Sequence, residues 1–218
     1  MAELGPGVPT PLGRLMLRLT CGEASTDTAP HSRQHLGSYA RQWRWPDVTG
    51  LRVDLVISSF APSMSHLRVD AAIGCVWQWT ATTDCPEVVI EAALPHAGDP
   101  ASGECLEALE FETPDWQVAL GGPDDDDLGQ QVEAGWLPES WRGHLMPGCW
   151  DTDYGAVHPR PGALAWRLPG LRAGESARHH VAVAWRANDG DEQQAVAPWF
   201  AVDTTADTVL SAAGRHEG

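Results

Sequence analysis

The residues best suited to chemistry fall in two neighbouring stretches of the chain. In the first, Trp136 and Trp141 flank Glu139, and His144 follows closely. A carboxyl held between apolar rings loses hydration in its charged form. Its pKa rises, and it can then serve as a general acid. In the second stretch, Trp150, Asp151, Asp153 and Tyr154 precede His158. On an extended backbone Asp151 and Asp153 share a face. Paired carboxylates beside an imidazole can pass a proton or hold a cation. Glu139, His144, Asp151, Asp153 and His158 are therefore the candidate catalytic residues. Each also has a plainer reading: an exposed glutamate on a tryptophan-anchored loop, and a turn shaped by Gly155 and Pro159.

Tryptophan is the compositional outlier, with 11 residues. Two pairs, Trp43/Trp45 and Trp77/Trp79, have the spacing that sends both rings to one face of a strand. Such a face stacks on sugar rings, lines a pocket for a flat apolar ligand, or fills a core. Trp77 and Trp79 continue an apolar face and read as core. Trp43 and Trp45 sit among Arg41, Arg44 and Asp47 and read as a wetter surface. The candidate ligand contacts are Trp43, Trp45, Trp136, Trp141, Trp150 and Tyr154.

Other motifs are excluded or weak. The chain has no lysine; all 14 basic residues are arginine. That removes Schiff-base chemistry, the Walker lysine and the Ser-Lys dyad. The absence of lysine, with Asn188 the one asparagine, also fits the codon bias of a GC-rich bacterial genome. Neither G-x-S-x-G nor G-x-G-x-x-G occurs. His31 and His35 have helical i, i+4 spacing but lack the glutamate of H-E-x-x-H. The run Asp124 to Asp127 lacks the alternating, glycine-shaped pattern of a calcium loop and reads as a solvated acidic loop. No cofactor and no metal is expected. Cys21, Cys75, Cys85, Cys105 and Cys149 are odd in number and form no C-x-x-C, which suggests reduced thiols in a cytoplasm.

The net charge is −16, and its placement is uneven. Between Val69 and Trp141 there are 16 acidic residues and no arginine, while the remainder is neutral. This argues against nucleic acid and anionic membrane as partners. It leaves room for a basic protein partner. No apolar run approaches the length of a membrane span.

The elements that must position these side chains are strands. Leu15, Leu17 and Leu19 alternate with Arg14, Arg18 and Thr20. Leu51, Val53, Leu55 and Ile57 alternate with Arg52 and Asp54. The longest alternation runs from Leu67 to Trp79, with Gly74 as an expected bulge or bend. Val88 to Leu94, Glu104 to Glu112, Trp116 to Leu120, Leu164 to Leu168 and Val181 to Trp185 follow the same period. Val196, Phe200 and Val202 read as a last strand, and Asn188-Asp189-Gly190 as a hairpin turn. The only helical candidates are His31 to Arg41 and a turn from Pro138 to Gly143. Gly170 to Ser176, followed by Val181 to Trp185, resembles the late hairpins of bacterial immunoglobulin-like sandwiches. That resemblance implies a fold class and carries no function.

The expected fold is all-β: one antiparallel β-sandwich or jelly-roll-like domain over residues 1–218, of eight to ten strands, with a β-barrel as the alternative. Residues 1–10 and 211–218 are expected to be loose termini, and residues 121–146 a long acidic, tryptophan-bearing loop. Three functions fit. The first is a β-domain whose Trp-lined cavity binds an apolar or aromatic small molecule, with a cofactor-independent cyclisation, isomerisation or dehydration as its chemistry. The second is a non-catalytic acidic interaction module. The third is a carbohydrate-binding β-sandwich. Whether the protein is an enzyme stays open at this level.

Overall fold

The computed structural model describes residues 6–27, 30–36, 40–103, 106–145 and 155–214. The first strands are β1 (Gly7–Thr10), β2 (Gly13–Cys21), β3 (Ala24–Ser25), β4 (Ser32–His35) and β5 (Ala40–Trp45). Next come β6 (Leu51–Ser59), β7 (Ala71–Ala81), β8 (Val88–Ala93), β9 (Asp99–Gly103), β10 (Leu106–Glu112) and β11 (Trp116–Pro123). Helix α1 (Asp125–Glu133), a 3-10 turn (Glu139–Trp141) and the short helix α2 (Arg142–Leu145) interrupt the strands. Then β12 (Val157–Arg160), β13 (Ala163–Leu168), β14 (Ser176–Ala187), α3 (Ala197–Val202) and α4 (Ala206–Ala212) complete the order.

The strands form two antiparallel sheets. One has the order β1-β2-β8-β13-β12, with β3 beside β2; the other has the order β4-β5-β6-β7-β14-β11-β10-β9. Both are open, so the molecule is an all-β sandwich and the barrel alternative is excluded.

Period two builds the core. Leu15, Leu17 and Leu19 on β2, Val88, Ile90 and Ala92 on β8, and Leu164, Trp166 and Leu168 on β13 meet the inner face of the larger sheet. That inner face carries Leu51, Val53 and Leu55 of β6, Cys75, Trp77 and Trp79 of β7, and Val181 and Val183 of β14. A second apolar cluster lies on the outer face of the larger sheet, beneath α3 and α4. It joins Val56, Val76, Ala182 and Ala184 to Val202, Val209 and Leu210.

Several expectations are corrected. Residues 197–202 form α3, with Val196 as its N-cap, and not a strand. Ala197, Ala201 and Val202 bury one helical face, and Pro198 sits in the first turn, where its missing N–H costs nothing. Residues 32–35 and 40–45 are paired strands and not a helix. Residues 121–146 contain α1, α2 and the 3-10 turn and are not an irregular loop. Asn188-Asp189-Gly190 leads toward α3 and not into a second hairpin strand. The strand expected from Leu67 begins at Ala71. Before it, Arg68 N–H donates to the Gln194 side chain and Asp70 N–H to the Trp185 carbonyl, so this segment is held by the end of β14 and the loop that follows it. Gly74 makes no bulge, because the ladder runs through it to Ser58 and Ala182. Residues 7–10 are a paired strand, and α4 runs into the expected C-terminal tail.

Candidate functional site

The outer face of the larger sheet is divided. Along β6, β7 and β14 its residues change from polar to apolar at one rung. Arg52, Thr80 and Ser176 lie side by side, and Asp54, Gln78 and Arg178 form the next rung. The rung after that is Val56, Val76 and His180, where the apolar cluster under α4 begins. Helices cover the apolar half, because a sheet face lined with valine and alanine must be kept from water. The polar half stays open as the floor of a cleft of about 690 Å³.

One wall of this cleft is Trp136. Helix α1 is started by Asp124, whose carboxylate accepts from Asp127 N–H at 2.8 Å. It ends at Gly135, whose φ of +75° suits a residue without a Cβ. Gly135 N–H bonds the Val132 carbonyl, and Trp136 N–H the Gln131 carbonyl at 2.9 Å. This is the two-bond helix stop that glycine favours. It throws Trp136 clear of the core, 58% exposed. The guanidinium of Arg178 lies 5.9 Å from the centre of the indole. Arg178 in turn donates to both carboxylate oxygens of Asp207 on α4, at 2.6 and 3.4 Å. At the far side of the floor, Asp54 Oδ1 accepts from Gln42 and Arg44, each at 3.0 Å. The cleft therefore offers an exposed indole face above amide, hydroxyl, carboxylate and guanidinium groups.

A second cleft, of about 570 Å³, lies by the smaller sheet and brings together His144 and His158. Arg167 and Glu87 pair on it at 3.0 Å, and Ser140 adds a hydroxyl. His158 is carried by β12. The preceding residue pair is anchored by Asp125, which accepts from Ala156 N–H at 2.6 Å. Burial raises the pKa of Asp125, an effect reduced by its hydrogen bonds to backbone N–H groups and by nearby His158.

The structure separates the other sequence candidates. Trp43 and Trp45 are not on a wet surface; both are buried in the inter-sheet core. Arg33 covers the ring of Trp43, and Trp45 packs against Trp77 with ring centres 5.9 Å apart. Trp141 is fully buried, donates its indole N–H to the Gly170 carbonyl at 2.9 Å and packs near Trp79. Glu139 is not held between Trp136 and Trp141. It is exposed and paired with Arg142 at 2.5 and 2.9 Å, and this hydrogen-bonded cation lowers its pKa. That is the opposite of a raised general acid. Asp124 to Asp127 are not a solvated loop: they cap and begin α1, and burial raises the pKa of Asp124, Asp125 and Asp127. Trp150, Asp151, Asp153 and Tyr154 lie outside the described residues.

Sequence reasoning missed Gln78, Thr80, Ser176, Arg178, Arg52 and Asp54 as a set. Their signal was present as the polar half of the alternations, but only strand pairing places the three strands in register. Among the described residues no group of three or more His, Cys, Asp or Glu is placed to hold a metal. No helix among them is long and apolar enough to cross a membrane.

No family model matches the chain, and no curated protein matches it. Among solved structures it is similar to a human-microbiome protein assigned as a kojibiose phosphorylase. The TM-score is 0.50 at 11% identity, over 91% of this chain and 26% of that one. The chain thus spans about a quarter of the length of that protein, and what the two share is the β-sandwich fold.

Proposed function

We propose that the protein is a saccharide-binding β-domain that uses the cleft beneath Trp136. The observation that carries the reading is an exposed indole facing a floor of polar side chains on paired strands. A sugar ring has an apolar C–H face and an equatorial fringe of hydroxyls. The first stacks on an indole, and the second needs donors and acceptors in a fixed array. Strands supply that array more rigidly than loops do. The cleft volume falls within the roughly 300–1,000 Å³ of small-molecule pockets. The similarity to a protein named as acting on kojibiose agrees with this class of ligand.

The test is calorimetric titration with a panel of disaccharides that includes kojibiose. A disaccharide in the panel is expected to bind, and Trp136→Ala to weaken it at least about tenfold, a loss of about 1.4 kcal/mol. Binding that survives Trp136→Ala undiminished would remove the cleft from the reading.

A second reading attaches to the His144–His158 cleft. Two imidazoles on one pocket can carry a proton between two positions of a small apolar or aromatic metabolite, as a cofactor-independent isomerisation or dehydration requires. Imidazole NMR signals separate the readings. Metabolites that shift His144 and His158 favour the second, and sugars that shift the Trp136 indole favour the first.

A further inference from the structure

We infer that the saccharide taken by the Trp136 cleft carries a negative charge, held by Arg52; this rests on the saccharide reading above. Among the residues lining the cleft, Arg52 and Arg178 carry guanidinium groups and Asp54 a carboxylate; beside them, Arg44 pairs with Asp54 and Asp207 with Arg178. Both carboxylates are engaged. Asp54 Oδ1 takes Arg44 and Gln42, and Asp207 takes Arg178 through both oxygens. Arg52 is exposed, lines the cleft, and has no hydrogen-bond or ion-pair partner among the described residues.

The cleft therefore holds one surplus positive charge on a chain whose net charge is −16. The lining residues that come from the acidic middle third, Gln78, Trp79, Thr80, Gly135 and Trp136, carry no charge. A guanidinium presents a planar fork of donors that matches an oxyanion in two parallel bonds. The protein's overall negative field repels anions in general, so only a ligand seated by the indole and the polar floor gains from Arg52. The shared chemistry is a sugar bearing an oxyanion, either the carboxylate of a uronic acid or a phosphate ester.

Three probes test this by titration of the full chain: a neutral glucose disaccharide, its counterpart with one glucuronate unit, and glucose 6-phosphate. The glucuronate disaccharide is expected to bind about tenfold more tightly than the neutral one, and raising salt from about 20 to about 500 mM to shrink that advantage. Arg52→Gln is expected to bring the anionic-to-neutral ratio close to one. A stronger gain for the phosphate than for the carboxylate would assign the oxyanion to the ester. Equal affinity for neutral and anionic sugars, or an unchanged ratio in Arg52→Gln, overturns the inference and leaves the saccharide reading standing. No binding by any probe overturns both. A thermal melt of Arg52→Gln that matches the parent shows that the exposed substitution has left the fold intact.

Discussion

His179 and His180 are neighbours whose side chains leave β14 on opposite faces, as strand geometry demands. His179 enters the inter-sheet core, with its ring centre 4.6 Å from that of Trp166. Neither of its ring nitrogens has a hydrogen-bond partner among the described residues, and burial drives its pKa well below the ordinary value. An orphan donor in a core costs about 1–3 kcal/mol. His179→Leu, similar in volume and free of polar atoms, is therefore expected to raise Tm at pH 7; a fall in Tm would refute this. His180 points to the α4 side, where burial lowers its pKa to about 4, although its hydrogen bond to the Thr204 backbone opposes that shift. Both folded-state pKa values lie below the unfolded 6.5. As pH falls from about 6.5 toward 4 the unfolded chain takes up protons first, so stability present above that window is lost within it. For His180 the loss is on the order of 3 kcal/mol. Urea melts at pH 7 and 4.5 are expected to show the decline, and His179→Leu to reduce it.

At the scale of elements, α4 is the piece that decides where the cleft ends. It closes over Val56 and Val76 and stops short of the polar rungs. Its close approach depends on Gly74, where an added Cβ would collide with the side chain of Val209. Gly74→Ala is expected to destabilise by about 1–3 kcal/mol, because the helix must lift off a packed face. A denaturant melt checks the figure, and an unchanged midpoint would show that α4 is free to shift. The same element holds Asp207, the anchor of Arg178, so loosening α4 is expected to weaken the proposed sugar binding too. Glycine in the middle of the strongest alternation was legible as a special position. Its cause was not, since the bulge reading and the helix-contact reading give the same sequence.

At the scale of the whole molecule, excess negative charge opposes compaction. Burial raises the pKa of Glu107, Asp124 and Asp125, and repulsion from neighbouring carboxylates, Asp126 among them, adds to the rise. Each of these carboxylates therefore carries its charge less comfortably in the folded protein than in water. Moderate salt at pH 7 is therefore expected to raise Tm; a Tm that does not move would show that the repulsion is already offset. The all-β character and most core positions of β2, β6, β8 and β13 were determined by local sequence, because side-chain alternation on a strand is set by the backbone itself. Trp77 and Trp79 as core, and the exclusion of lysine chemistry, were legible for the same local reason. The tertiary structure decided the rest. It buried Trp43, Trp45 and Trp141, left Trp136 exposed and paired Glu139 with Arg142. It also gathered Arg52, Asp54, Gln78, Thr80, Ser176 and Arg178 into one floor from three strands as far apart as residues 52 and 178. Alternation says that a polar side chain faces away from the core. Only strand order and register say which other polar side chains stand beside it, and whether a helix covers them.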